Sequence, residues 1–250
     1  MSLPHALEIF GAGIVAGTIN TVVGSGTLFT FPVLLAIGYA PVTANVSNTV
    51  GLVPGSVAGA IGYRRELAGQ RARAIRFAIA SVAGAIIGAV LLLSLPASAF
   101  KDIVPAFIVI ALVLIVVQPR MARALEARRS RATGHPGLLA MLAVFASGIY
   151  GGYFGAAQGI MLLAILGLSL PTEHLQRVNA LKVVLAGLVN LVAGIIFIFS
   201  AHIAWLPALL IAIGSIIGGI AGARWGRRLP PAALRAVIVV VGITAIVRLV

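Results

Sequence analysis

Of the 250 residues, 61% are hydrophobic and 9% charged, against about 45–50% and 25% in soluble domains. That balance excludes a water-soluble globular protein and points to a polytopic helical membrane protein. At about 20 residues per crossing, roughly ten apolar segments leave no room for a soluble domain. The net charge of +13 suggests nucleic acid in a soluble chain; here the basic residues are orientation signals, and no nucleic-acid partner is expected. With no Cys, disulfides, thiolate metal sites and cysteine nucleophiles are excluded, and no spacing of the four His suggests a metal site or a cofactor.

In chain order, the apolar runs are Ala6 to Val23, a short Thr27 to Tyr39 containing Pro32, Val42 to Tyr63, Phe77 to Leu95 and Ile103 to Val117. After a polar linker come Gly137 to Phe154, a short Gln158 to Leu170, Val178 to Phe199, Leu206 to Ala223 and Ala236 to Val247. The first basic residue is Arg64, so the first run lacks the basic region of a signal peptide and reads as a retained helix. Arg64, Arg65, Arg71, Arg73 and Arg76 fill one loop. Arg120, Arg123, Arg128, Arg129 and Arg131 fill the central linker, and Arg224, Arg227, Arg228 and Arg235 the last. Together these are fourteen of the 18 basic residues. Short cytoplasmic loops collect Lys and Arg, so these loops are placed inside, and both termini outside. The third and eighth runs then cross in opposite directions from matching places.

This predicts an all-α polytopic membrane protein with two inverted-topology repeats of about five helical segments each, every repeat holding one broken or short, re-entrant-like helix. Repeat 1 covers 1–118, the basic cytoplasmic linker 119–136 and repeat 2 137–250. Asn45 and Asn48 align with Asn179 and Lys182 in the two halves. The short second and seventh runs each follow a glycine-containing break, Gly24-Ser25-Gly26 and Gly155 to Gly159. Such helices start at depth, where unpaired N–H groups and a partial positive charge suit an anion.

The candidate substrate-binding residues are Asn20, Gly24, Ser25, Gly26, Thr27, Asn45, Asn48, Gln158, Gly159, Asn179, Lys182 and Asn190. An ionisable side chain inside a span is costly and usually faces a cavity or partner, which singles out Lys182; its plainer reading is a lysine that snorkels to the interface. Asn20 and Asn190 could equally bridge helices, and glycine pairs such as Gly84/Gly88 and Gly214/Gly218 read as close-packing devices. Glu173 and His174 at the inner mouth could titrate or simply be solvated, and Arg177 reads as an interface anchor. Trp205 and Trp225 fit interfacial belts.

Gly17-x-x-Asn20-x-x-x-Gly24-x-Gly26, followed by Pro32, Gly38 and Ala44-Asn45, resembles the first repeat of the sulfite exporter TauE/SafE family. Gly148-x-x-Gly151-Gly152-x-x-Gly155, followed by Gly159 and Gly167, resembles its second repeat. The likeness covers the whole chain. It departs at Ala157-Gln158, where further glycine is expected, and in having no proline after that cluster before Pro171. The resemblance implies a multi-pass permease of a bacterial or archaeal inner membrane, exporting sulfite, sulfoacetate or related organosulfonates by alternating access. The sequence leaves the oligomeric state open, a homodimer included. A transporter of another small anion such as a carboxylate or thiosulfate, working outward or inward, is the alternative. An intramembrane hydrolase using Ser25 needs a base that no histidine is placed to provide. A cation permease needs acidic residues at depth, and none is expected there.

Overall fold

The computed structural model describes residues 1–128, 137–170, 172–226, 239, 240 and 243, with backbone alone for 121–128. The expectations for Arg129, Arg131, His135, Pro171, Arg227, Arg228, Arg235 and most of the run Ala236 to Val247 lie outside the described residues, as do the side chains of Arg123 and Arg128. Among the described residues the regular structure is entirely helical: α1 (Leu3–Val22), α2 (Thr27–Ala36), α3 (Pro41–Gly62), α4 (Arg64–Leu67), α5 (Arg71–Ser94), α6 (Ala97–Arg128), α7 (Leu138–Tyr153), α8 (Gln158–Ser169), α9 (Leu175–Ser200) and α10 (Trp205–Trp225).

Four of these helices, α5, α6, α9 and α10, are long and apolar enough to cross a bilayer by length and composition. Large apolar side chains such as Phe199 and Ile79 point outward, as they do in a protein whose solvent is lipid. The chain is an all-α polytopic membrane protein. Two helices overrun their apolar runs. α5 starts six residues early at Arg71, and α6 continues past Val117 to Arg128, because a helix carries its own hydrogen bonds into the polar interface without needing apolar residues. α4 is a single turn between α3 and α5 that hydropathy does not register.

Two seams organise the packing. α10 lies against α1 and α3, and α5 against α7 and α9, while α3 and α9 meet each other. Both seams are built on small residues. A side chain at Gly84 or Gly88 of α5 would strike the α7 backbone at Phe145 and Ile149, and one at Gly214 or Gly218 of α10 would strike the α1 backbone at Phe10 and Ile14. In lipid, helices associate by close backbone approach rather than by a hydrophobic force. These glycines therefore work as packing devices.

α1 and α7 end in the same way. The N–H groups of Val23 and Gly24 both reach Ile19 O, at 2.7 and 2.9 Å; those of Phe154 and Gly155 both reach Tyr150 O, at 2.9 and 3.1 Å. Gly24 (φ +91°) and Gly155 (φ +75°) take the left-handed conformation that stops the helix. The following helices are short. α2 has 10 residues and α8 has 12, roughly 15 and 18 Å at 1.5 Å per residue, about half of a 30 Å hydrocarbon core. An aromatic cluster of Phe31, Phe100, Phe107, Tyr153 and Phe154 ties α2 and α6 to the α7 break.

Candidate functional site

The two breaks meet. The Gly159 N–H, at the start of α8, donates to Gly24 O at 3.0 Å, and a Cβ built on Gly24 would lie 2.6 Å from the Gly159 Cα. Around this contact the polar residues expected from sequence gather into two groups, one on the α1 side and one on the α7 side.

On the α1 side stands Lys182, the eighth residue of α9. Its side chain is wholly buried. The ammonium donates to Asn20 O at 3.0 Å and Thr21 O at 3.2 Å, so it does not snorkel to an interface. Those carbonyls belong to the last turn of α1, where intrahelical donors run out and the helix dipole is negative. Asn179, one turn earlier on α9, donates from Nδ2 to the same Thr21 O at 3.3 Å. Asn20 turns its own amide to Ser56 Oγ of α3, 3.3 Å away. Gly26 packs against Ala16 and Asn20, holding the α2 start onto α1.

On the α7 side, Asn45 of α3 donates from Nδ2 to Tyr153 O at 3.0 Å, the last residue of α7. The parallel with Asn179 and Thr21 is close: each asparagine caps the end of a broken helix. Asn48 donates to Thr27 Oγ1 at 3.2 Å, and its Oδ1 accepts a short hydrogen bond from Thr30. Asn48 thus clasps the first turn of α2. Ser25 is buried, with no hydrogen-bond partner for its hydroxyl.

Two expected members stand apart. Gln158 sits over Gly151 and donates from Nε2 to Ser147 O at 3.2 Å, so its amide turns back to α7 instead of facing Ser25 and Thr27. Asn190 is half-buried on α9, eight residues beyond Lys182 or about 12 Å along the helix axis. Ser56 and Thr30 are partners that sequence reasoning missed. Ser56 lies eight residues after Asn48, on the same helical stripe, which is the signal that could have found it.

The electrostatics are lopsided. The acidic residues of the chain are Glu8, Glu66, Asp102, Glu126 and Glu173. None lies on α2, α3, α5 or α7–α10, Glu8 stands twelve residues before Asn20 on α1, and among the described residues no carboxylate pairs with Lys182. The carboxylate of Glu173, just before α9, instead pairs with Arg73 of α5 and with Arg177 Nε at 2.7 Å. The Arg73 hydrogen bond, assisted by Arg177 against partial burial, holds the Glu173 carboxyl below its ordinary range. Arg177 also donates to Ala68 O at 3.1 Å, and Gln70 Nε2 to Arg177 O at 3.1 Å. This end of α9 is therefore strapped to the α4–α5 connection; Arg177 is a cross-link as much as an anchor.

A buried cation fixed on backbone carbonyls, flanked by amides and hydroxyls and lacking any acidic partner, is an arrangement that can accept an anion. The family described as Sulfite exporter TauE/SafE matches residues 9–249 of this chain. Among curated relatives, "Probable membrane transporter protein YfcA" of Escherichia coli (strain K12) is 27% identical over 228 residues, covering 88% of this chain and 79% of the relative. "Probable membrane transporter protein ORF9" of Sinorhizobium sp is 27% identical over 248 residues, covering 96% and 90%. A "Probable membrane transporter protein" of Haemophilus influenzae is 29% identical over 223 residues, covering 86% and 83%. No solved structure matches at a significant level.

Proposed function

The chain belongs to the sulfite exporter TauE/SafE family, and on that premise we propose that it exports small sulfur-containing anions, such as sulfite, sulfoacetate or related organosulfonates, by alternating access. As a member of a transporter family it is a multi-pass membrane protein that handles small substrates rather than an enzyme. The observation that carries the finer reading is Lys182: a wholly buried ammonium on the α1 carbonyls, with two N–H groups used and no carboxylate partner among the described residues. Its third N–H has no hydrogen-bond partner among the described residues and would be the donor to a ligand oxygen. An isolated charge in a low-dielectric interior is costly, so an anion that neutralises it is favoured there.

In this reading the anion sits beside the Gly24–Gly159 contact. Lys182 supplies the countercharge, and Asn179, Ser25 and the N-terminal N–H groups of the short helices supply the remaining polar contacts. Two inverted repeats, 1–118 and 137–250 with the linker 119–136 inside, would rock about that contact. Three parallels support the repeat: α10 on α1 and α3 against α5 on α7 and α9, Asn45 on Tyr153 against Asn179 on Thr21, and the two matching helix ends. The Glu173 strap would then close the cytoplasmic side of this state, in an inner membrane with the basic loops inside. Carboxylate or thiosulfate transport, or import, is the alternative.

The test is flux of radiolabelled sulfite and sulfoacetate in proteoliposomes. The reading expects Lys182→Ala and Asn48→Ala to lose transport; parental rates in both would place the site elsewhere.

A further inference from the structure

We infer that the anion admitted beside Lys182 is a singly charged oxyanion that still bears a proton, such as hydrogen sulfite, and that dianions are excluded. This narrows the substrates proposed above and rests on Lys182 being the countercharge. Two independent observations carry it.

The first is charge counting. Lys182 is the one cation buried among the described residues. The next basic residue on its helix, Arg177, is committed to Glu173 and Ala68 O. A monoanion makes a neutral pair with Lys182. A dianion leaves one negative charge unmatched in a medium where an unpaired ion is strongly disfavoured.

The second is hydrogen-bond polarity. Asn179 is 7% exposed, and its Nδ2 donates to Thr21 O. That bond fixes the orientation of the amide, since the reverse would set two carbonyl oxygens against each other. Asn179 Oδ1 is consequently an acceptor, and it is buried with no partner. Lys182 Nζ and Asn179 Nδ2 donate to the same Thr21 carbonyl, and Oδ1 is carried on the same amide carbon as Nδ2, so the orphaned acceptor lies one amide group away from the carbonyl that holds the ammonium. A fully ionised oxyanion has acceptor oxygens alone and leaves Asn179 Oδ1 facing another acceptor. An oxyanion that keeps an O–H gives its bare oxygens to Lys182 and its proton to Asn179. A buried acceptor left unpaired costs more than a hydrogen bond gains. Hydrogen sulfite therefore ranks above a monovalent sulfonate, which satisfies the charge but not the acceptor, and both rank above sulfoacetate dianion. On the other side of the glycine contact, Asn45 Oδ1 is orphaned in the same way, so a proton-bearing ligand meets a second acceptor there.

The charged and titratable groups on the elements packed against α9 are few among the described residues. α3 and α8 have none. α1 has His5 and Glu8 near its far end, α4 has Arg64, Arg65 and Glu66, α5 has Arg71, Arg73 and Arg76 in its first turns, and α7 has Tyr150 and Tyr153. A pH profile of transport reports these and Lys182 together with the substrate. Methanesulfonate separates them, because it stays a monoanion without a dissociable proton throughout the accessible range.

The experiment measures initial uptake of labelled sulfite, methanesulfonate and sulfoacetate by proteoliposomes holding the full chain, from about pH 5.5 to 8.5 at fixed total concentration, with protein-free vesicles subtracted. The sulfite-to-methanesulfonate rate ratio is expected to fall about tenfold per pH unit above the ionisation of hydrogen sulfite to sulfite, with sulfoacetate at background. Asn179→Leu, which removes the orphaned acceptor, is expected to lower the ratio at acid pH by about fivefold or more; the parental profile decides by itself if that variant does not fold. A ratio that is flat or rises with pH, or sulfoacetate carried as fast as sulfite, overturns this inference and leaves the anion-permease reading standing. Flux of none of the three overturns both.

Discussion

The Gly159 N–H donates to Gly24 O at 3.0 Å, and the Gly159 Cα lies 2.6 Å from where a Gly24 Cβ would stand. Two broken helices thus touch backbone to backbone, with no room for a side chain between them. Gly24 also needs its positive φ, so Gly24→Ala adds backbone strain of roughly 1–2 kcal/mol to the clash. Gly24→Ala and Gly159→Ala should each lower thermal stability in detergent and cut flux at least about tenfold, a loss of about 1.4 kcal/mol in effective coupling. Gly11→Ala is the control: its Cβ meets nothing within 4 Å, and it should leave stability unchanged or raise it by up to about 1 kcal/mol.

Lys182→Met separates transport from folding. It removes two hydrogen bonds to the α1 carbonyls and also removes a buried charge. Removing a buried charge that has no carboxylate partner is favourable, and this offsets the cost of leaving Asn20 O without its donor, while Thr21 O keeps Asn179. Thermal unfolding of Lys182→Met should therefore stay near the parental temperature, while sulfite ceases to raise it. A large drop in stability with sulfite protection retained would make Lys182 a helix cap and no more.

The Glu173 strap predicts a pH dependence with a definite sign. Its carboxyl is held low in the folded protein by Arg73 and then Arg177. Stability from a depressed carboxyl is fully present above its unfolded value, about pH 4.3, and is lost as pH falls through the folded value. Arg73 is 41% exposed at its side chain, so screening limits the contribution to about 1 kcal/mol or less. Parental protein should lose that increment on acidification below about pH 4.3. Glu173→Gln should start lower at neutral pH and show a shallower acid limb, read by thermal unfolding across the acid range.

The glycine seams predict where bulk is not tolerated. Gly84→Leu and Gly218→Leu drive a side chain into the α7 and α1 backbones and should cost at least about 3 kcal/mol each, read as loss of monodisperse protein on gel filtration. Leucine at Gly69, which has open space for a Cβ, should have a smaller effect that comes from its φ of +76° alone.

Much of this arrangement is legible in the sequence because membranes impose simple rules. Hydropathy places the spans, and a glycine cluster followed by a run too short to cross marks α2 and α8. The polar series from Asn45 to Thr49 stands out because amides and hydroxyls are rare on a lipid-facing helix, and those side chains are indeed buried. What escapes is anything set by backbone partners. Lys182 is conspicuous in sequence, but its partners are the carbonyls of Asn20 and Thr21, which every residue type carries alike. Gln158 is expected in the site because it stands at the second break. It turns to Ser147 O instead, because Gly151 leaves space above α7 for its side chain. The strap of Glu173 across to Arg73 joins residues 100 apart, beyond any local pattern.

The most direct measurement of the central claim is sulfite flux in proteoliposomes made with parental protein, Lys182→Ala and Asn48→Ala, at matched protein incorporation. The account predicts saturable flux in the parent and its loss, at least about tenfold, in Lys182→Ala, with Asn48→Ala also impaired. Undiminished flux in Lys182→Ala would contradict it, because no other buried cation among the described residues can neutralise the anion.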